Sequence, residues 1–103
     1  MKLSEKRILF TKLLGEFICE AFNRGYKIAI DEVKTKDGHR ENSLHYIGLA
    51  ADFNLYSDQG QYLKDTSDHI ELGHIWESLH VDTYWGGRFN DGNHYSLAHG
   101  GRM

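Results

Sequence analysis

Proline is absent from this sequence of 103 residues, and cysteine occurs once, at position 19. Without proline there is no proline-rich linker, and a chain of this length supplies one hydrophobic core, so we expect a single domain over residues 1–103. A lone cysteine excludes an intramolecular disulfide framework and a multi-cysteine zinc site. Because Cys19 follows Phe17 and Ile18 in an apolar helical stretch, we expect its thiol to be buried and unreactive.

The sequence also lacks a block of lysine and arginine, and it lacks any long apolar run. Its formal net charge of −3 does not suit a polyanionic partner, so we expect no binding to nucleic acid. No apolar run is long enough to span a membrane, and no signal-peptide core follows the basic residues near the start. We therefore expect synthesis in the cytoplasm and no membrane partner. We also expect a monomer.

What the sequence does have is two segments with a helical pattern and several short segments with an extended pattern. Ser4 can cap a first helix that ends at Gly25, and a second helix can begin at Asp68, with Glu71 at the capping-box spacing. The apolar faces of the two helices would comprise Ile8, Leu9, Leu13, Phe17, Ile18 and Phe22, and Ile70, Leu72, Ile75, Trp76 and Leu79. Residues 26–33 and 49–56 and a short segment around residues 94–96 favour strands. Helices and strands without βαβ alternation predict the α+β class.

Metal chemistry is indicated first by residues 43–52. His45 offers an imidazole nitrogen, and Asp52 offers a carboxylate oxygen seven residues later. Gly48 lets the backbone turn between them. One nitrogen and one oxygen suit Zn²⁺ but leave two positions of its tetrahedron open. A second imidazole would leave the last position to water, as in catalytic zinc sites.

The second segment, residues 85–94, can supply that imidazole from His94. Asp91 lies three residues earlier, across a turn that contains Gly92. A carboxylate there can accept a proton from water and pass it to a leaving amine. Each pair taken alone is common by chance, and the specificity comes from the complete strings.

Those strings are Ser43-x-His45-x-x-Gly48-x-Ala50-x-Asp52, and then Trp85-Gly86-Gly87 with Asp91-x-x-His94. Together they resemble the zinc D-Ala-D-Ala carboxypeptidase and L-alanyl-D-glutamate endopeptidase family. That family includes phage endolysins and vancomycin-resistance dipeptidases, and it shares its fold with the Hedgehog signalling domain. The resemblance implies a small antiparallel sheet with zinc on one face and two helices on the other. It also implies His45, Asp52 and His94 as zinc ligands and Asp91 as the general base.

The chain departs from the family before Ser43, where an Arg-Thr…Gln segment is missing. In larger members that segment supplies an oxyanion-stabilising arginine, for which Arg40 is the nearest candidate here and Lys36 the second. For substrate binding we predict Ser43, Trp85 and Gly86. A turn-capping serine and a core tryptophan are equally good interpretations of the first two.

The resulting hypothesis is a zinc peptidase that hydrolyses the stem peptide of bacterial peptidoglycan, as an L-alanyl-D-glutamate endopeptidase of the phage endolysin type. Two alternatives stay open: a D-Ala-D-Ala carboxypeptidase, and a non-catalytic zinc module of a larger assembly. Without a signal peptide, the enzyme would reach the wall after release by another factor or as part of a virion.

Overall fold

The computed structural model describes residues 1–39 and 41–103. These residues form two helices and five strands, joined in part by short 3₁₀ turns at Leu44–Ile47, Thr66–His69 and Gly86–Phe89. The elements are α1 (Leu3–Asn23), β1 (Lys27–Glu32), β2 (Ala50–Tyr56), β3 (Tyr62–Leu63), α2 (Ile70–Ser78), β4 (Thr83–Trp85) and β5 (His94–Leu97). The predicted α+β class, with a small antiparallel sheet and two helices, is confirmed. None of the helices in the described ranges has both the length and the apolar character needed to cross a membrane.

The strands make one antiparallel sheet in the order β1-β2-β5-β4, and β3 also pairs with β2. β1 runs along one edge of β2. On the other edge, β5 pairs with residues 50–52 and β3 pairs with residues 55–56. Strand β2 is therefore the element that connects the two halves of the sheet.

Alternation along β2 separates an apolar face of the sheet from a polar one. Phe53 and Leu55 are buried, whereas Asp52, Asn54 and Tyr56, which alternate with them, are only partly buried. The apolar face packs against both helices: the ring of Phe17 from α1 lies 5.6 Å from Phe53 and 5.6 Å from Trp76 of α2. Aromatic pairs of this kind contribute about 0.5–1.5 kcal/mol each beyond their burial. The core thus lies on one face and leaves the opposite face to the polar side chains.

The apolar face predicted for α1 is too wide. Its buried stripe consists of Phe10, Leu13, Phe17 and Ala21, together with the stem of Lys6. Ile8 and Phe22 lie outside this stripe and are 72% and 52% exposed. Cys19 is also exposed, contrary to the expectation of a buried thiol, because two residues turn a helix by about 200° away from Phe17.

The helix starts also differ from those predicted. α1 begins one residue before Ser4, and the backbone N–H of Lys2 donates to the Glu5 carboxylate at 2.9 Å. α2 begins at Ile70, because residues 66–69 form a 3₁₀ turn instead of its first turn. The backbone N–H of Asp65 donates to Asp68 at 3.2 Å, so the acidic side chain closes that turn and does not cap α2.

Trp85 is held between two glycines. A Cβ atom at Gly73 of α2 would lie 2.2 Å from Cδ2 of the indole, and one at Gly87 would lie 2.2 Å from Cζ3. The indole Nε1–H donates to the carbonyl of Gly92 at 2.7 Å. The absence of side chains at the two glycines therefore lets the ring pack between α2 and the turn that follows β4.

We expect Gly73→Ala to lower the free energy of unfolding by about 1–3 kcal/mol, since the added methyl overlaps a ring that cannot move aside. Gly15→Ala in α1 is the matched control, because its Cβ meets nothing within 4 Å. There alanine should add about 0.5–1 kcal/mol through helix propensity. Urea denaturation of both variants measures the two changes, and stabilisation by Gly73→Ala would contradict the packing described for Trp85.

The core also contains one buried polar pair, His69 and Tyr95, which are 1% and 0% exposed. The imidazole Nδ1 lies 3.2 Å from the phenolic oxygen. Burial lowers the pKa of His69 and raises that of Tyr95. The folded protein therefore holds His69 neutral at pH values where an unfolded chain, with a histidine pKa of about 6.5, begins to bind a proton.

As the pH falls below about 6.5, the unfolded chain gains a proton at His69 that the folded chain does not, so stability is lost in this range. We expect the melting temperature of metal-free protein to fall between pH 7.5 and 5, and His69→Gln to make that fall shallower. Recording both proteins in chelator removes the effect of zinc release, and other titrating groups are common to both. If the melting temperatures of the two proteins fell equally with pH, His69 would not contribute to the pH dependence of stability.

Candidate metal centre and cleft

Strand register brings Asp52 between two potential partners on the polar face of the sheet. Asp52 is opposite Glu32 of β1 and opposite His94 of β5. Directly opposed residues of antiparallel strands point to the same face and lie close together. A bulge between Ile30 and Glu32 shifts the register of β1, so that Glu32 and not Asp31 is opposite Asp52.

His45 enters from the 3₁₀ turn Leu44–Ile47. Its backbone N–H donates to the hydroxyl of Ser43 at 3.2 Å, so the serine caps the turn. Its Nδ1 lies 2.6 Å from the carbonyl oxygen of Val33, and its Nε2 lies 3.2 Å from Oδ1 of Asp52. A carbonyl can only accept, so Nδ1 carries the proton toward Val33, and the ring is oriented with Nε2 toward the carboxylate, as in many metal-binding histidines.

The third predicted ligand completes a convergent set. His94 Nδ1 also lies 3.2 Å from Oδ1 of Asp52, and the rings of His45 and His94 are 5.2 Å apart at their centroids. Donor atoms at zinc distances of about 2.0–2.1 Å in a tetrahedron are separated by about 3.3 Å. The structure therefore places one nitrogen of each histidine at a distance from Oδ1 of Asp52 that two ligands of one zinc ion would have.

Electrostatics at this point favour an ionised carboxylate. Burial opposes the charge on Asp52, but hydrogen bonds with His45 and His94 outweigh it and lower its pKa to about 2. Burial likewise opposes protonation of His45, but its bonds with Asp52 and Val33 raise its pKa. A carboxylate that stays ionised over the physiological range is the form that binds a cation.

Asp91 is held over the same cleft by a short loop. Its backbone N–H donates to the carbonyl of Gly86 at 3.0 Å, and its own carbonyl accepts from the N–H of His94 at 3.1 Å. A Cβ atom on Gly86 would lie 2.3 Å from the carbonyl oxygen of Asp91, so glycine is needed for this close approach. The side chain of Asp91 is exposed and can reach a substrate.

The cleft itself has a volume of about 790 Å³, which is large enough for a short peptide. Its described lining comprises residues 38–39, 41–45 and 101–103 together with Asp52, Phe89, Asp91 and His94. Ser43 is among them, whereas Trp85 and Gly86 are not among the described residues that line it. Their observed contacts support the loop of Asp91, and a direct role in substrate binding stays a prediction. Arg40 lies outside the described residues, and Lys36 is exposed and not part of the described lining.

Sequence reasoning missed two side chains next to the centre. His39 Nε2 lies 2.6 Å from Glu32 Oε2, and the His39 ring stacks on His45 at 4.1 Å. Ligand atoms of Glu32, His39, His45 and Asp52 all lie within 4.8 Å of one another. They form a second possible ligand set, which shares His45 and Asp52 with the predicted one. No spacing in the sequence indicates it, since Glu32 depends on the bulge in β1 and His39 on the loop that follows.

The set with His94 has three protein ligands and would leave a fourth position to water, as in catalytic zinc sites, whereas the other set has four. In the set with His94, each histidine has a nitrogen 3.2 Å from Oδ1 of Asp52, close to the separation of about 3.3 Å between two zinc ligands. In the other set, His39 Nε2 lies 2.6 Å from Glu32 Oε2, which is shorter than the separation of about 3.3 Å between two zinc ligands.

Comparison with known proteins agrees with this chemistry. A family model described as D-alanyl-D-alanine carboxypeptidase matches residues 36–97, which is more than half of the chain and includes both motif strings. No curated protein sequence matches the chain significantly. The family consists of zinc-dependent peptidases of the cell wall, and the His and Asp side chains of the cleft can hold the metal. The chain therefore belongs to the zinc D-alanyl-D-alanine carboxypeptidase family and is a zinc metallopeptidase.

Proposed function

We propose that this enzyme hydrolyses the stem peptide of bacterial peptidoglycan as an L-alanyl-D-glutamate endopeptidase of the phage endolysin type. The observation that carries the proposal is that His45 and His94 both contact Oδ1 of Asp52 in a cleft that Asp91 also lines. A structural zinc site needs no accessible carboxylate beside it. Asp91 therefore favours hydrolysis over a non-catalytic zinc module.

In this proposal His45, Asp52 and His94 bind the zinc ion. When bound, zinc polarises a carbonyl and lowers the pKa of water to about 7. Asp91 accepts the proton of the attacking water and later donates it to the leaving amine. Val33 holds the tautomer of His45 by accepting its Nδ1–H, and Arg40 is proposed to stabilise the oxyanion.

The choice of the endopeptidase rests on two features that resemble the phage enzymes. One is aspartate rather than glutamate at the base position, Asp91, and the other is the Trp85-Gly86-Gly87 string. The carboxypeptidase is the second candidate, because the matching family model carries that description. We further propose that residues 1–103 act as one monomeric domain. The enzyme would be made in the cytoplasm and reach the wall after release by another factor or within a virion.

The ligand set can be tested by zinc affinity alone. His94→Ala should weaken zinc binding by more than about 100-fold, because even outer contacts of a zinc ligand contribute about 10- to 100-fold. His39→Ala is the matched control, because His39 stacks on the proposed ligand His45 and its loss should cost less than about 100-fold. Competition with a chromogenic chelator gives both affinities, and the reverse order would assign the metal to the Glu32–His39 set.

Digestion of purified muropeptides by the zinc-loaded enzyme tests the reaction. We expect products with a new amino terminus at D-glutamate, identified by mass spectrometry. Release of free D-alanine alone would assign the carboxypeptidase, and no cleavage by protein with one zinc per chain would favour the non-catalytic module.

In the same assay Asp91→Asn should lower kcat by about 10²- to 10⁴-fold, the usual contribution of a general base. Asp58→Asn is the matched control, since Asp58 is an exposed acid outside the described lining of the cleft. It should leave the rate unchanged, and a fully active Asp91→Asn would show that another group moves the proton.

A further inference from the structure

The described wall of the cleft carries an excess of negative side chains. Glu41, Asp52 and Asp91 all line it, whereas Arg102 is the one lysine or arginine among the described lining residues. With the proposed zinc ion at the scissile bond, a free carboxylate elsewhere on the peptide would still be repelled by Glu41 and Asp91 unless another cation received it. Arg102 is therefore the described residue whose charge suits such a substrate.

A tight turn holds Arg102 at this position. The backbone N–H groups of His99 and Arg102 donate to each other's carbonyls at 3.1 and 3.0 Å. Gly100 and Gly101 between them have φ angles of 58° and 79°, as a type I′ turn requires. Arg102 is half-buried, so this pair of hydrogen bonds fixes its backbone against the cleft.

The guanidinium of Arg102 also differs from the other described arginines in having no partner. Arg7 donates to the carbonyl of Ile47, while Arg24 and Arg88 form ion pairs with glutamates. Within residues 1–39 and 41–103, no carboxylate or carbonyl pairs with the Arg102 side chain. A half-buried arginine with an unused fork of five N–H donors is suited to binding a carboxylate from outside.

We propose that Arg102 binds the free carboxylate of the substrate residue that supplies the leaving amine. This inference rests on the proposed peptidase function but not on the choice of scissile bond. In D-alanyl-D-alanine the leaving residue has a free α-carboxylate. D-Glutamate has two carboxyl groups, so one stays free when the other is in peptide linkage. Arg102 is thus a substrate-binding residue for either branch of the reaction.

The test compares two synthetic substrates that differ only in this carboxylate, which is free in one and a carboxamide in the other. Zinc-loaded wild type should prefer the carboxylate peptide by about 10- to 100-fold through KM, the range of a charge-assisted pair. Arg102→Gln should lose that preference and keep its kcat on the carboxamide. Arg24→Gln, which removes an arginine from the far end of α1, should keep the wild-type preference.

An unchanged preference in Arg102→Gln would overturn the proposal, as would loss of the preference in Arg40→Gln alone. Zinc content and melting temperature show whether the variants are folded. If Arg102→Gln does not bind one zinc, Arg102→Met, which keeps the aliphatic stem and removes the charge, decides instead: a lost preference supports the role of Arg102, and an unchanged one refutes it.

Equilibrium binding of the two peptides to zinc-loaded Asp91→Asn, with and without Arg102→Gln, separates this inference from the proposed function. If wild type cleaves neither peptide, the peptidase proposal fails. The role of Arg102 is then decided by binding alone: it stands if Arg102→Gln weakens only the carboxylate peptide, and it falls if both peptides bind equally.

Discussion

The arrangement of the site depends on the register of β2 between β1 and β5. Asp52 is opposite Glu32 on one side and His94 on the other. Its carboxylate therefore lies beside the other side chains that could bind a metal ion. A slip of one residue would turn Asp52 toward the aromatic core and bring Phe53 or Ala51 to the polar face. The core packing of Phe53 therefore stabilises the same register that the metal centre requires, and fold and site are selected together.

The aromatic ring of Trp85 packs against the loop that carries Asp91. Trp85 lies between Gly73 and Gly87 and donates to the carbonyl of Gly92. Each contact connects α2 or β4 to the residues around the proposed base. The ring fills the space that side chains at the two glycines would occupy. The carboxylate of Asp91 makes no hydrogen bond of its own in the described structure, so the packing of the loop positions it.

The sequence predicted the α+β class, and its motif strings indicated His45, Asp52 and His94 as zinc ligands. In the structure both histidines contact Asp52, and their role as ligands stays a prediction. The sequence could not predict Glu32 and His39, whose proximity depends on a bulge and on a loop without a motif. Helical periodicity overestimated the buried face of α1, because apolar spacing does not say how wide a stripe the sheet will cover. Arg102 was missed for a similar reason, since a glycine turn indicates a reversal of the chain but not the surface that it approaches.

Strand β5 inserts between β2 and β4, and its first residue, His94, comes 42 positions after Asp52. An incomplete chain that stops before this strand would contain His45, Asp52 and most of the apolar core residues, but only two of the three proposed zinc ligands. During synthesis on the ribosome, the metal centre therefore cannot be completed until α2 and β4 have already emerged. Completion of the proposed zinc site is therefore coupled to completion of the sheet, because the strand that adds the third ligand also joins β4 to β2.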